Sequence, residues 1–475
     1  MRLRIQNFFN SSVGYLPFKI IEGIFGIVSL SLYSHLLLPH EYGLYGIINN
    51  TVMLTYLLAF GWFYFVAMRF IGEIDNLDER KTFFSNMLSL QGRIYGLLIL
   101  IYLGLAMILI YGFSFNPWLL VVYVVFFVGY MFNQFYINLL LYVHMRFLNV
   151  VLVVLAAVLK PMLVYGFYKS GIDTIYILFL GHGVVDITLG LIAFYYIRPY
   201  RYFSKNSIKK EQFKEYLRYG FPLIGLTLTM YVLNISDRYI LRFFYSEYVV
   251  GLYVPNYAIA SSTFLMIAYG LSRGFYPKLL TAWGKESKKE AGRILSFGIK
   301  TYILLGLPAA TGMLLLSKDI GQIIIAKEYE AGYAVIGIVA FGMFFLNLAD
   351  YMNKEWELSK NTRPIFINSL IAAVVNLGLN LILIPKYGLI MAAYTTLVAS
   401  IIYFVASGVR RKKILEVVIE KKYLFSVIFA NLVMSICVII SAVLPLQGYV
   451  LIVAKAMIGI VSYFAAWFLM KKILR

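Results

Sequence analysis

Fourteen apolar segments of about 20 residues fill most of this 475-residue chain, and they limit its folds more than any motif does. In hydrocarbon no water satisfies a backbone N–H or C=O, so only helices and closed β-barrels can span a bilayer. A helical span takes about 20 predominantly apolar residues, whereas a barrel strand takes about 9–11 with alternating polarity. The segments here are continuous apolar runs, near 12–37, 44–68, 84–111, 117–141, 149–168, 173–197, 219–241, 249–271, 293–316, 332–350, 364–384, 388–408, 423–444 and 449–470. They predict an all-α polytopic membrane protein with 14 transmembrane helices. The first segment is too long for a signal-peptide core and lacks a small-residue cleavage site, so it counts as a span.

Composition agrees. The chain is 61% hydrophobic and 13% charged, against about 25% charged residues in soluble domains. No stretch resembles a soluble catalytic domain, a nucleotide-binding loop or a metal-ligand cluster, so no cofactor is expected. The single cysteine, Cys437, lies in an apolar run and reads as a packing residue.

The net charge of +20 suggests nucleic acid until its distribution is read. With the N-terminus inside, about 31 Lys and Arg residues fall in inner loops and about 6 in outer loops. Basic residues concentrate on the cytoplasmic side of membrane proteins, so both termini are expected in the cytoplasm and no nucleic-acid partner is implied. The alternation runs through every loop, which supports an even number of spans. No outer loop exceeds about 15 residues, the length of a plain connection. A polymerase or ligase acting on the outer face would need a larger folded loop, so the chain reads as a transporter and not an enzyme.

The chain also repeats itself. Glu41-Tyr42-Gly43-Leu44-Tyr45 returns as Glu247-Tyr248-Val249-Val250-Gly251-Leu252-Tyr253, and at nearly the same offset Arg93 matches Lys300. Gly14-x-x-Pro17 and Gly220-x-Pro222 open the first helix of each half. Six helices per copy is an even number, so the copies are parallel repeats about an axis along the membrane normal. The expected layout is an N-lobe over 1–200, a cytoplasmic linker over 201–218, a C-lobe over 219–408 and an appended helix pair over 409–475.

Charges inside spans are costly, and they usually face a cavity and carry function. Lys19, Arg93, Lys160 and Lys300 are the candidate substrate-binding cations, and their excess suits an anionic passenger. Lys19 and Glu22 are three apart on one helix face and read either as a self-neutralising pair or as a phosphate ligand with its tuning acid. Arg93 and Lys300 lie within about three turns of the cytoplasmic end. They either snorkel or hold one pyrophosphate between them, Arg as a bidentate ligand and Lys as a point charge. Lys160, mid-span before Pro161, is too deep to snorkel easily, whereas Lys455 reads as a snorkelling residue. Asp186, one turn from His182, reads as its pairing partner, as a proton or cation site, or as the counter-charge that releases substrate. Asp237 and Arg238 read as interfacial, in position to form a salt bridge at an outer gate, and Asp237 joins Glu22 and Asp186 as a candidate coupling or charge-balance residue. Asn376 and Asn380, four apart, with Thr395 and Thr396 on the next helix, form either interhelical hydrogen bonds or a set of oxygen ligands for a hard cation such as Na+.

The Glu41–Tyr45 motif and the stretch from Tyr219-Gly220-Phe221-Pro222 through Asp237-Arg238 to Glu247 and Gly251-Leu252-Tyr253 resemble the polysaccharide and O-antigen flippases. These belong to the multidrug, oligosaccharidyl-lipid and polysaccharide exporter superfamily. The resemblance covers nearly the whole chain, including the two helices that lipid-carrier flippases have beyond the twelve of drug exporters. It implies translocation of an undecaprenyl-pyrophosphate-linked oligosaccharide from the inner to the outer leaflet of a bacterial or archaeal plasma membrane. It also implies two lobes that rock between inward-open and outward-open forms, Na+ or H+ as a coupling ion, and polysaccharide polymerase or glycosyltransferase machinery as neighbours. A flippase of the peptidoglycan precursor (lipid II) shares this charge logic, and a cation-coupled multidrug exporter is the other alternative. The basic lumen and the appended pair disfavour the exporter.

Overall fold

The computed structural model describes residues 16–71, 76–113, 117–204, 210–285, 287–443 and 448–474. The described residues are almost entirely helical. In chain order the helices are α1 (Leu16–Leu36), α2 (Pro39–Tyr56), α3 (Trp62–Phe70), α4 (Leu77–Phe113), α5 (Pro117–Tyr142), α6 (Arg146–Lys169), α7 (Thr174–Ile197) and α8 (Lys210–Phe244). Then come α9 (Glu247–Gly284), α10 (Lys288–Leu315), the short α11 (Ser317–Ile324), α12 (Tyr333–Leu358), α13 (Arg363–Tyr387), α14 (Leu389–Val409), α15 (Lys421–Ile440) and α16 (Gly448–Ile473). A π-helical turn over Leu57–Gly61 joins α2 to α3. Among the described residues twelve helical stretches are long and apolar enough to cross a membrane, with α2 and α3 forming one of them. The shorter apolar stretch Ile21–Leu36 of α1 is a thirteenth apolar element. Several helices outrun the expected spans. α4 starts at Leu77 where 84 was expected, its added turns carrying the good helix formers Glu79, Arg80 and Lys81, and α9 runs to Gly284 where 271 was expected, continuing through Gly274 and Pro277.

The chain divides into two compact units, one of Met1–Leu32 with Ile47–Leu228 and one of Tyr33–Gly46 with Thr229–Arg475. The division therefore falls inside α8 and not in the connection before it. Residues 210–228 pack with the first unit because Gly220 has no side chain: a Cβ there would lie 2.6 Å from the Trp62 carbonyl. Tyr216 and Ile224 then join a buried aromatic core with Trp62, Phe63, Phe83 and Phe135.

Residues 33–46 pack with the second unit through the repeated motif. Gly43 and Gly251 are the contact: a Cβ on Gly43 would run into the backbone at Glu247, and one on Gly251 into the Pro39 carbonyl. The Tyr329 hydroxyl donates to the Leu37 carbonyl at 2.9 Å, and the Ala326 N–H donates to Ser34 Oγ at 3.2 Å. Small residues let membrane helices approach to backbone contact, so the two copies of the motif meet where each has its glycine. The rest of the second unit uses the same device. Ala349, Ala372, Ala373 and Ala399 form a buried cluster with Leu233 and Tyr403.

The candidate functional site

In the first unit a charged centre lies between α5, α6 and α7. Glycines bring α5 and α7 together: a Cβ on Gly129 would lie 2.6 Å from the Gly183 carbonyl, and one on Gly190 would lie 3.1 Å from Asn133 Cα. At that separation the Asn133 amide donates to Asp186 Oδ1 at 2.6 Å. Lys160 Nζ, from α6, reaches the same oxygen at 2.9 Å. Asp186 is 1% exposed and Lys160 22%, so the carboxylate is enclosed while the ammonium touches open space. Asp186 Oδ2 has no hydrogen-bond partner. The ion-pair partner of Asp186 is thus Lys160. His182 lies a turn away with its ring 6.4 Å from that of Phe126.

The second unit holds a larger polar centre among α8, α9, α13 and α14, and two short connections place its residues at one depth. α13 turns into α14 at Gly388, whose φ of +69° is a backbone conformation that glycine adopts without strain. Asn380 is eight residues before that turn and Thr395 seven after it, so their side chains meet, and Thr395 Oγ1 donates to Asn380 Oδ1. α8 turns into α9 between Phe244 and Glu247. Asp237 and Tyr253 lie about two turns either side, and the Tyr253 hydroxyl donates to Asp237 Oδ2 at 2.5 Å. Asn380 Nδ2 donates to Asn376 Oδ1 at 3.0 Å, Ser236 Oγ donates to the same oxygen at 3.1 Å, and Thr396 Oγ1 donates to Asp237 Oδ2 at 3.5 Å.

Asp237 is wholly buried and Arg238 nearly so. The Arg238 guanidinium is 3.9 Å from the carboxylate, donates to the Asn234 carbonyl at 2.6 Å and lies 4.6 Å over the Tyr257 ring. A buried charge needs a counter-charge and hydrogen bonds; Arg238 finds Asp237, the Asn234 carbonyl and the Tyr257 ring, while its Nε stays buried without a partner.

The other expected site residues each have their own local setting. Arg93 is exposed on α4 and has no ion pair or hydrogen bond of its side chain to another described residue. Lys300 pairs with Glu420 at 2.5 Å and lies over Tyr423, so it serves the seam between α10 and the segment leading to α15. Glu22 is half-buried on α1, and the side chain of Lys19 lies outside the described residues. Lys455 pairs with Asp319 of α11 at 2.9 Å.

Sequence reasoning missed Asn133, Tyr253 and Ser236, and it missed a further carboxylate, Glu355. Glu355 is 0% exposed; it accepts from Arg411 at 2.8 Å and from the Ile414 and Leu415 N–H groups at 3.1 and 3.3 Å. It fastens the connection after α14 to the end of α12. Tyr253 had a visible signal, since it ends the second copy of the repeated motif.

These arrangements stand beside a family match. The profile described as "Polysaccharide biosynthesis protein" matches residues 11–282, more than half the chain. The chain belongs to that family. A second profile, MatE, matches residues 211–382. Among curated relatives, the chain is 26% identical over 258 residues to a protein named "Probable flippase AglR" from Haloferax volcanii, covering 52% of this chain and 50% of that one. It is 24% identical over 202 residues to the "Capsular polysaccharide biosynthesis protein CapF" of Staphylococcus aureus, covering 42% of this chain and 50% of the relative. The chain thus spans about half the length of the curated relatives it matches. Among solved structures, the lipid II flippase MurJ in an inward closed conformation superimposes with a TM-score of 0.79 at 16% identity, over 98% of this chain and 100% of that one. An inward-facing multidrug resistance MATE transporter gives 0.64 at 13% identity over 85% and 99%. Similarity at these identities establishes a shared fold.

Proposed function

We propose that this chain is a flippase for a lipid-linked oligosaccharide. It carries an undecaprenyl-pyrophosphate-linked glycan from the inner to the outer leaflet of the cytoplasmic membrane by exposing its binding site to the two faces in turn. The observation that carries this reading is the family match over residues 11–282. The relatives named as flippases and the excess of cations in the spans support it. Among the expected anion contacts, Arg93 is exposed and unpaired among the described residues, and Lys160 is partly open. A pyrophosphate would meet groups already positive and would not need to displace a buried partner at Arg93. Lys300 would have to leave Glu420 first.

We assign coupling to the polar centre of the second unit. The side chains of this centre offer oxygen ligands of the kind a monovalent hard cation takes. Asp237, bonded to Tyr253 and Thr396, provides one carboxylate, and Asn376, Asn380 and Thr395, bonded to one another, provide neutral oxygens on the neighbouring α13 and α14. One carboxylate with several neutral oxygens suits Na+ better than a transition metal. Asp237, Asn376, Asn380 and Thr395 would hold the ion, which supplies a charge whose gradient biases the transport cycle. Tyr253 and Thr396 orient the carboxylate by hydrogen bonding.

The test uses the purified full chain in liposomes loaded with a lipid-linked oligosaccharide, with lectin accessibility reporting appearance on the far leaflet. Accessibility rising faster than in protein-free liposomes, and faster still under an inward Na+ gradient, is the expected result. Asp237→Asn should abolish the gradient dependence. Equal rates with and without protein sink the flippase assignment. An equal gradient effect in Asp237→Asn sinks the coupling site alone.

A further inference from the structure

A cavity of about 420 Å³ opens between α9 and α10, within the 300–1,000 Å³ range of ligand pockets. Helical periodicity builds it. Gly270, Gly274 and Lys278 follow each other at four-residue spacing on α9, and Arg293 and Phe297 do so on α10, so each set lies along one helix face. Phe275, 4% exposed, forms the floor. The two glycines leave the space: a Cβ at either would meet nothing within 4 Å. Phe297, 66% exposed, stands at the lip.

The cations are at one end. Lys278 is six residues before the end of α9 and Arg293 five residues after the start of α10. Lys278 lies about seven residues past the expected span that ends at 271, and Arg293 opens the expected span 293–316, so both stand at the polar edge of the apolar stretches, where lipid phosphates lie. Neither side chain has an ion pair or hydrogen bond with another described residue. The adjacent row of α10 is already engaged. The Val418 N–H donates to Ser296 Oγ at 3.0 Å, and Lys300 pairs with Glu420. The cavity row of the same helix is left with an unpaired cation.

We propose that this groove is a binding site for one anionic phospholipid, with its phosphate between Lys278 and Arg293 and an acyl chain along Gly270, Gly274 and Phe275. A groove that is apolar along its length, walled by two membrane-spanning helices and capped by two cations at one end matches a lipid in shape and charge. Basic pockets between helices at headgroup depth are a recurring form of lipid recognition. The charge count assigns this end to the cytoplasmic leaflet. Binding is measured here without transport, so its failure leaves the flippase reading untouched.

The test titrates the purified full chain in mild detergent with dioleoyl phosphatidylglycerol or dioleoyl phosphatidylcholine. Thermal stabilisation and lipid retained in native mass spectrometry are the readouts. Phosphatidylglycerol should stabilise the chain and be retained, with phosphatidylcholine at least tenfold weaker. Lys278→Gln/Arg293→Gln should lose about tenfold or more in phosphatidylglycerol affinity, as expected for charge-assisted contacts. Lys278→Arg/Arg293→Lys should keep most of it. Gly274→Leu, which keeps both charges and fills the groove, should also weaken binding. Equal affinity in the wild type and in the Gln variant or Gly274→Leu overturns the site. Equal stabilisation by inorganic phosphate overturns the assignment to a lipid, as does preferential retention of undecaprenyl phosphate over phosphatidylglycerol.

Discussion

At the scale of single residues, the buried carboxylates are the sites where one change has a large and readable effect. Lys160→Gln removes the counter-charge of Asp186 and leaves an enclosed carboxylate unpaired, a change that costs about 3–5 kcal/mol. We expect Lys160→Gln to lower the unfolding temperature in detergent markedly and Lys160→Gln/Asp186→Asn to recover most of the loss. Surface glycan per membrane-inserted molecule then separates structure from function. If the double variant is stable and still exports nothing, the pair belongs to the transport machinery; normal export removes Lys160 from it. Glu420 is a milder case. A hydrogen bond from Lys300 lowers its carboxyl below the ordinary range. Its contribution is therefore full above the unfolded pKa and fades as pH falls through the lowered one, below about pH 4.5. Hydrogen exchange of residues 414–420 should rise in that acidic window in the wild type, and Lys300→Gln should abolish the added pH dependence.

At the scale of elements, close approach at glycine decides how helices pair. Gly251→Ala would place a methyl group into the Pro39 carbonyl, and overpacking of this kind typically costs about 1–3 kcal/mol. Gly274→Ala meets nothing and improves helix propensity. The expected outcome is a lowered unfolding temperature for Gly251→Ala and none for Gly274→Ala; equal effects would remove the contact between the repeated motifs as a packing determinant. The appended pair is an element in the same sense. α15 and α16 fasten to the second unit through Asn431 to Thr311 at 3.0 Å, Tyr463 to the Leu304 carbonyl at 2.8 Å and Lys455 to Asp319. Their outward residues Leu432, Ile436, Ile460 and Val461 are more than half exposed, a surface suited to lipid tails.

At the scale of the whole molecule, orientation follows from loop charge. With Cys437 replaced by Ala, a cysteine at Lys413 should resist a membrane-impermeant maleimide in intact cells, and one at Lys386 should react. Labelling of both, or the reverse pattern, would refute the cytoplasmic placement of the termini. The connection carrying Lys413 is tied down by Glu355, so labelling at that site should also be compared after permeabilisation.

Much of this was legible before any coordinates. Apolar run length required helices, since hydrocarbon leaves a backbone no other way to satisfy itself. The Asn376–Asn380 spacing and the short connection to Thr395 placed three oxygen-bearing residues at one level, and they do meet. The family resemblance could be read from Glu41–Tyr45 and its second copy. The partners of the buried charges could not be read. Lys160 and Asp186 lie on different helices, and Asn133 joins them from a third. A helix such as α7, apolar on all sides, carries no signal for which face meets which neighbour. Asp237 looked interfacial because its neighbour is an arginine near a helix end, and burial became visible only once Tyr253 and Thr396 enclosed it. Sequence thus determined that the elements are apolar helices and roughly where each runs, because this depends on local periodicity and on water being absent from the bilayer. Tertiary structure alone decided which charge answers which, because that depends on helix rotation and on glycine contacts between residues far apart in the chain.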